Sequence, residues 1–199
     1  MNPVTIEFFT DFICPWCYIG KERMTKVVEG LKEEIDITLV PKPYQLYPEI
    51  PIGGIDKKVM ANKTKPGMGR SLRAEATTEN LELNYKKIDR IPNSRKAHQL
   101  ISSLAHNEDK WNVSLEIIRS YFQDGQDIED EDYLNTIVPT GQNHYTDAHY
   151  ETILEEELAF AQELFISLVP TIRLNETIVI PGLHPVEIWT KYIRRAAVI

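Results

Sequence analysis

Cysteine is the residue that this sequence most conspicuously lacks, with only Cys14 and Cys17 among 199 residues. A closed zinc site takes four protein ligands, and there is no second cysteine pair to complete one. None of the five histidines stands at zinc-finger spacing from the pair, so no metal site is predicted. A structural disulfide across two residues would constrain little of the unfolded chain and stabilise it little. Redox chemistry is therefore favoured over a structural disulfide or half a zinc site.

The chain also lacks an excess of positive charge, long apolar runs and a leader-like N-terminus. Its net charge of −8 argues against nucleic acid as a partner. Its longest apolar stretches have the length of strands, so no membrane partner is predicted. No basic region followed by an apolar one opens the chain, and we therefore expect a cytoplasmic protein. In a reducing cytosol a lone cysteine pair is more often catalytic or metal-binding than structural.

The two cysteines lie where a strand is predicted to turn into a helix. The apolar run Val4 to Thr10 indicates a buried strand. Apolar residues at helical spacing follow Cys17, and Pro15 suits a first helical turn because no N–H is needed there. Cys14 is then at the helix start, where free N–H groups and the helix dipole favour a thiolate. We predict that Cys14 is the exposed attacking thiol and Cys17 the resolving thiol.

The rest of the chain alternates between strands and one long helical block. Further strands are predicted for residues 36–42, 171–174 and 177–180, with a hairpin connection at Asn175-Glu176. A last helix is predicted to open at Pro185. Between residues 55 and 165 no strand is predicted, and helical stripes centre on 70–85, 97–105, 111–122 and 150–165. The predicted caps and stops are Asn93 or Ser94, Gly125, and Thr146 or Asp147.

Five stretches together resemble the DsbA family of thioredoxin-fold proteins, in its FrnE-like branch. They are Cys14 to Lys21, Tyr44 to Pro48, Ile91 to His98, Tyr121 to Ile128 and Val169 to Thr171. The resemblance covers essentially the whole chain. It implies an α/β protein with a thioredoxin fold, formed by residues 1–54 and 166–199, that is interrupted by an all-helical domain at 55–165. It also implies thiol–disulfide exchange through the Cys-Pro-Trp-Cys motif.

The same resemblance suggests roles for the residues around the cysteines. Pro170 would be the family's cis-proline, packed against the active-site disulfide, and the backbone of Val169 would be free to pair with an extended substrate peptide. Pro15 and Trp16 are further expected substrate-binding residues. No cofactor is expected beyond the Cys14–Cys17 disulfide. Protein or small-molecule thiols and disulfides are the expected partners, and glutathione is a candidate co-substrate.

Kappa-class glutathione transferases and 2-hydroxychromene-2-carboxylate isomerases share this architecture and form the alternative. They use a serine and bound glutathione, and Cys14 speaks against them. A basic stretch from Lys57 to Arg73 keeps the alternative open, because it is either a solvated segment or an anion-attracting lid over the site. Ser167-Leu168 stands where related sequences often carry glycine, which leaves the substrate in question. A non-catalytic binding module is the least favoured interpretation.

Overall fold

A computed structural model describes residues 1–61, 68–138, 146 and 148–198 of the chain. Its strands are β1 (Val4–Thr10), β2 (Ile37–Pro43), β3 (Ile55–Asp56), β4 (Arg90–Ile91), β5 (Thr171–Leu174) and β6 (Ile178–Pro181). Its helices are α1 (Pro15–Leu31), α2 (Lys57–Ala61), α3 (Met68–Thr78), α4 (Arg95–Ser103), α5 (Asn107–Arg119), α6 (Glu131–Ile137), α7 (Ala148–Glu163) and α8 (Val186–Ala196). Within these ranges no helix is long and apolar enough to cross a membrane.

A four-stranded mixed sheet in the order β2-β1-β5-β6 forms the framework. β1 pairs with β2 in parallel and with β5 in antiparallel, and β5 and β6 form the predicted hairpin. Asn175 and Glu176 both have positive φ at its turn, as a tight hairpin requires. β1 is central and buried on both faces, because Ile6 and Phe8 pack towards α1 and α8 while Phe9 joins the cluster under the inserted helices.

The inserted segment is mostly helical, but the all-helical prediction is wrong in one detail. β3 and β4 pair in antiparallel over two residues each. Such short strands have no alternating pattern that sequence could reveal. The predicted 70–85 helix ends earlier, at Thr78. The predicted cap Ser94 does precede α4, whereas Asp147 lies outside the described residues.

A π-helical turn, Ser120–Asp124, follows α5, and it ends at Gly125 as predicted. Gly125 has φ of +72°, and a Cβ there would lie 2.2 Å from the backbone oxygen of Lys87. Asn84 N–H also donates to the Phe122 carbonyl oxygen at 2.7 Å. The end of this helix therefore holds the segment 84–87, which carries Tyr85, closely against it.

The inserted helices and the thioredoxin-like part share one hydrophobic cluster. It contains Phe9, Phe12 and both cysteines together with buried residues of α4 and α5. The division at residues 54/55 and 165/166 remains a prediction. The shared cluster has a direct consequence for the cysteines, since residues from 55–165 pack around them.

Candidate active site

The cysteine motif lies at the start of α1, as predicted. Cys14 is the N-cap with extended φ and ψ of −92° and 110°, and Pro15 is the first helical residue. The Cys14 carbonyl accepts hydrogen bonds from the N–H groups of Cys17 and Tyr18, at 3.0 and 3.2 Å. Both cysteines are free thiols. The positive end of the helix dipole is thus directed at the Cys14 side, which favours negative charge there.

The prediction that Cys14 is exposed is wrong. Cys14 is 3% exposed and Cys17 is fully buried. The cause is tertiary: half-buried apolar residues from three separate segments pack against the cluster that contains both sulfurs. They include Ile13, Trp16, Tyr44, Leu46, Leu81 and Leu83. A substrate sulfur can therefore reach Cys14 only through a narrow approach or after a displacement of this rim.

The structure brings Val169 and Pro170 to the cysteines. Their peptide bond is cis, which confirms the prediction for Pro170. The Cys14 thiol donates to the Val169 carbonyl oxygen at 3.7 Å. The Pro170 ring packs on Gly20 of α1, where an added Cβ would lie 3.1 Å from Pro170 Cγ and 3.2 Å from Phe8 Cζ. Glycine at position 20 therefore lets the proline loop approach the active-site helix.

Pro15 and Trp16 are both half-buried at the rim of the site. Trp16 packs against the cluster of the cysteines and also against a small second cluster formed by Ile19, Leu72 and Ala76. It thereby links α1 with α3 of the inserted segment. Contact of Pro15, Trp16 or Val169 with a substrate remains a prediction.

The two thiols have different electrostatic surroundings. Burial raises the pKa of Cys17 well above its usual value, and the neighbouring Cys14 sulfur raises it further. The Asp11 backbone and the Thr10 hydroxyl oppose this rise without cancelling it. Cys17 is therefore held as a thiol, whereas Cys14 sits at the positive end of a helix. This asymmetry suits an attacking Cys14 and a resolving Cys17.

Asp11 is a fully buried carboxylate just before the motif, and sequence reasoning missed it. Its Oδ2 accepts from the Leu46 N–H at 2.7 Å, and its carbonyl accepts from the Cys14 N–H at 3.2 Å. His98 of α4 places Nε2 3.5 Å from Asp11 Oδ1, outside hydrogen-bond geometry, and its ring contacts the Phe12 ring at a tilt of 41°. Asp11 thus fixes the loop that presents Cys14, and His98 is a packed residue, as its position beside an apolar stripe indicates.

Tyr85 of the inserted segment lies within electrostatic range of Cys14, and no sequence pattern marked it. Burial and the charge of a Cys14 thiolate raise the pKa of Tyr85 to about 12, while Arg73 opposes the rise. Tyr85, which is 44% exposed, therefore keeps its proton at neutral pH. Of the basic stretch, Lys57 donates to the carbonyl oxygens of Ile88 and Tyr85, at 2.5 and 3.3 Å, and Lys63 and Lys65 lie outside the described residues.

The described part of the chain holds no group of three or more His, Cys, Asp or Glu side chains that could bind a metal ion. The chemistry that these residues can perform is thiol chemistry. A thiol at a helix start lies beside a second, buried thiol and a backbone carbonyl of a cis-proline loop. This is the arrangement of a thioredoxin-type redox centre.

Residues 5–194 match the model of the DSBA-like thioredoxin domain, and the chain belongs to this family. It is 22% identical to the uncharacterized protein YwbO of Bacillus subtilis, over 96% of each chain. Among solved structures it is similar to a probable DsbA oxidoreductase from Streptomyces coelicolor, with a TM-score of 0.81 and 20% identity over 97% of this chain and 89% of that one.

Two further solved structures share the fold at lower similarity. One is a 2-hydroxychromene-2-carboxylate isomerase, with a TM-score of 0.68 and 14% identity over 96% of this chain and 95% of that one. The other is the cytosolic disulfide reductase DsbM of Pseudomonas aeruginosa with GSH, with a TM-score of 0.66 and 14% identity over 98% of this chain and all of that one. At these identities the likeness establishes the thioredoxin fold with its helical insertion.

Proposed function

We propose that this protein is a thiol–disulfide oxidoreductase in which Cys14 attacks and Cys17 resolves. The observation that carries the proposal is the different placement of the two sulfurs. Cys14 Sγ lies at the start of α1, 3.7 Å from the Val169 carbonyl oxygen, while Cys17 is buried with a raised pKa. A pair built this way performs exchange in two steps.

In the reducing direction, the Cys14 thiolate attacks one sulfur of a substrate disulfide. A mixed disulfide forms, and the other substrate sulfur leaves as a thiolate that takes up a proton. Cys17 then loses its proton and attacks Cys14 Sγ. The Cys14–Cys17 disulfide forms, the bond to the substrate breaks, and two electrons have passed from the protein to the substrate. The same steps in reverse oxidise a substrate dithiol.

The site suits a narrow substrate, either an extended peptide or a small thiol. The Val169 backbone lies beside Cys14, where a peptide could pair with it, and Pro15 and Trp16 form part of the half-buried rim. Glutathione is the proposed small co-substrate, supported by the electrostatic coupling of Tyr85, a hydroxyl-bearing residue, to Cys14. The GSH-bound DsbM of the same fold supports this choice, and a cytoplasmic location is proposed with it.

Two serine variants test the proposal. Cys14→Ser should be inert, because no attacking thiol remains. Cys17→Ser should attack but not resolve, so that covalent adducts with substrates or glutathione accumulate and disappear on reduction. Non-reducing electrophoresis and intact mass of the purified proteins give the readout. If the two variants trapped equally, or neither trapped, the assignment of roles to Cys14 and Cys17 would fail.

A glutathione-dependent transferase or isomerase is the second candidate. The near-complete burial of Cys14 favours it, because a buried thiol is better suited to a small ligand than to a folded protein. Such an enzyme would not need a resolving thiol. Full activity of Cys17→Ser towards a small electrophile or isomerisable substrate, with no trapped adduct, would support this candidate over the first.

A further inference from the structure

Lys21 is a fully buried lysine on α1, four residues after Cys17. Residues four apart on a helix lie on one face, with Cβ atoms about 5–6 Å apart. Cys17 is also fully buried, so the amine and the resolving thiol share the same interior. A buried lysine without a carboxylate partner is costly to maintain, which makes it a candidate functional group.

The partners of Lys21 orient its amine without neutralising it. Nζ donates to Ser114 Oγ at 2.7 Å, and Ser114 in turn donates to the Trp111 carbonyl oxygen at 2.8 Å. The Trp111 ring lies 3.7 Å below Nζ, and the Phe8 ring 5.4 Å away. Within the described residues no carboxylate lies within ion-pair distance of Nζ.

Two charged residues near Lys21 and a cavity that Ser114 lines, Glu22 and Lys42, have ion-pair partners of their own, and burial lowers the pKa of the nearby Lys110 against the opposing charge of Glu157. Glu22 pairs with Arg119, and Lys42 pairs with Glu157. Lys21 and Cys17 lie one turn apart on α1, and each acts on the other electrostatically. Burial lowers the pKa of Lys21 to about 7, and the charges of Cys17 and Glu22 oppose that fall. Near neutral pH the amine can therefore exist in its proton-accepting form.

This small cavity is lined by a polar partner of each group, Ser114 for Lys21 and Thr10 for Cys17, and offers a route for a proton. It measures about 10 Å³, roughly the volume one water needs, and Thr10, His98 and Ser114 are among its lining residues. Thr10 Oγ1 and His98 Nε2 are buried there and make no hydrogen bond within the described part of the chain. The Thr10 hydroxyl also approaches Cys17 closely enough to favour its thiolate. Cys17, Thr10, the cavity and the Ser114–Lys21 pair thus form a polar path through an apolar core.

We propose that Lys21 accepts the proton that the Cys17 thiol loses when it resolves the mixed disulfide. The Cys17 sulfur gives its proton to the Lys21 amine, directly or by relay through the Thr10 hydroxyl, a water in the cavity and Ser114. The resulting thiolate attacks Cys14 Sγ, and the substrate leaves with the electrons of the broken bond. The Lys21 ammonium then returns its proton to solvent, or to the Cys17 sulfur in the reverse reaction. This role rests on the proposed oxidoreductase function.

Stopped-flow mixing of the reduced protein with 5,5′-dithiobis(2-nitrobenzoic acid) separates the two steps. Attack by Cys14 releases one thionitrobenzoate at a rate that depends on reagent concentration. Resolution by Cys17 releases a second at a rate that does not. We expect Lys21→Met to leave the first phase within about twofold of the parent. The second phase should slow on the order of 100-fold at pH 7, the scale of general-base catalysis.

The pH profile gives a readout that a purely structural role would not change. The second-phase rate of the parent should bend near pH 7, where Lys21 loses its proton. The bend should be absent in Lys21→Met and in Lys21→Arg, whose guanidinium cannot accept a proton. Lys26→Met is the matched control, since Lys26 lies on the same helix with a half-exposed side chain that pairs with Glu79, and both phases should match the parent.

The outcomes separate this inference from the function on which it rests. A first phase missing from the parent protein would refute the oxidoreductase. A normal first phase with an unchanged second phase in Lys21→Met would refute Lys21 as the acceptor. Equal slowing of both phases, or a slowed second phase that still bends near pH 7, would refute it as well.

Discussion

Replacing Lys21 by methionine should stabilise the protein, and should do so most strongly below neutral pH. An unfolded chain exposes Lys21 to water, where its pKa is the ordinary 10.5, whereas burial lowers it to about 7 in the folded protein. Each tenfold difference in proton affinity is worth about 1.4 kcal/mol, so the penalty for carrying the charge into the fold reaches at most about 5 kcal/mol. Methionine fills a similar volume over the Trp111 ring without that penalty.

The stability gained by Lys21→Met depends on pH because the pKa of Lys21 differs between the folded and unfolded protein. Below about pH 7 both states bind the proton and the folded protein bears the full penalty. As the pH rises towards 10.5 the folded state is already neutral while the unfolded state still binds a proton, and the penalty shrinks. The loss of the Ser114 hydrogen bond and the Trp111 contact offsets part of the gain. We expect Lys21→Met to gain about 1–4 kcal/mol at pH 6, the range for replacing buried charges by apolar groups, and to lose most of that gain by pH 10.

Urea unfolding of the reduced proteins at pH 6, 8 and 10, followed by tryptophan fluorescence, measures the difference. Trp111 reports directly, because its ring lies against Lys21. Lys32→Met at the exposed end of α1 is the control, and should change stability by less than about 0.5 kcal/mol at every pH. If Lys21→Met were destabilised at pH 6, or gained equally at all three pH values, the uncompensated burial of this amine would be refuted.

Two further substitutions probe how α1 is held in place. Gly20→Ala should lower the free energy of unfolding by about 1–2 kcal/mol, because its Cβ would press on Pro170 and Phe8. Gly30→Ala on the same helix has open space and should raise it by about 0.5–1 kcal/mol. Equal effects of the two substitutions in urea unfolding would contradict the close approach of Pro170 to α1. Arg23→Met should lower the free energy of unfolding by about 3 kcal/mol, because it removes the guanidinium that lies 2.7 Å from the buried carboxylate of Glu79. A loss of stability as small as that of the Lys32→Met control would refute a buried ion pair.

The local parts of this fold could be predicted from sequence because local chemistry determines them. An apolar run followed by Cys-Pro-x-Cys places a helix start at Cys14, and Pro15 fits its first turn. The turn at Asn175 and the stop at Gly125 follow from residues that tolerate positive φ, and Glu176 takes a positive φ as the second turn residue. The cis bond before Pro170 was expected from the family resemblance, since an X–Pro bond is cis in only about 5–6% of cases.

The candidate site was harder to predict, because its environment comes from distant segments. Lys21, Glu22 and Arg23 have the composition of a solvated helix face, yet all three are buried. Each is matched by a residue at least 50 positions away, namely Ser114, Arg119 and Glu79. The prediction that Cys14 is exposed fails for the same reason, because a helix start alone does not show that the residue will join a buried cluster shared with the inserted segment.

The central claim is that Cys14 and Cys17 form one reversible redox couple. Equilibration of the purified protein in glutathione buffers of stepped composition, followed by acid quench, thiol alkylation and intact mass, measures it directly. The account predicts one reversible two-electron transition between a dithiol and an internal disulfide, with no such transition in Cys14→Ser or Cys17→Ser. Two thiols that stay reduced across the whole series, or a stable glutathione adduct in place of the internal disulfide, would contradict it.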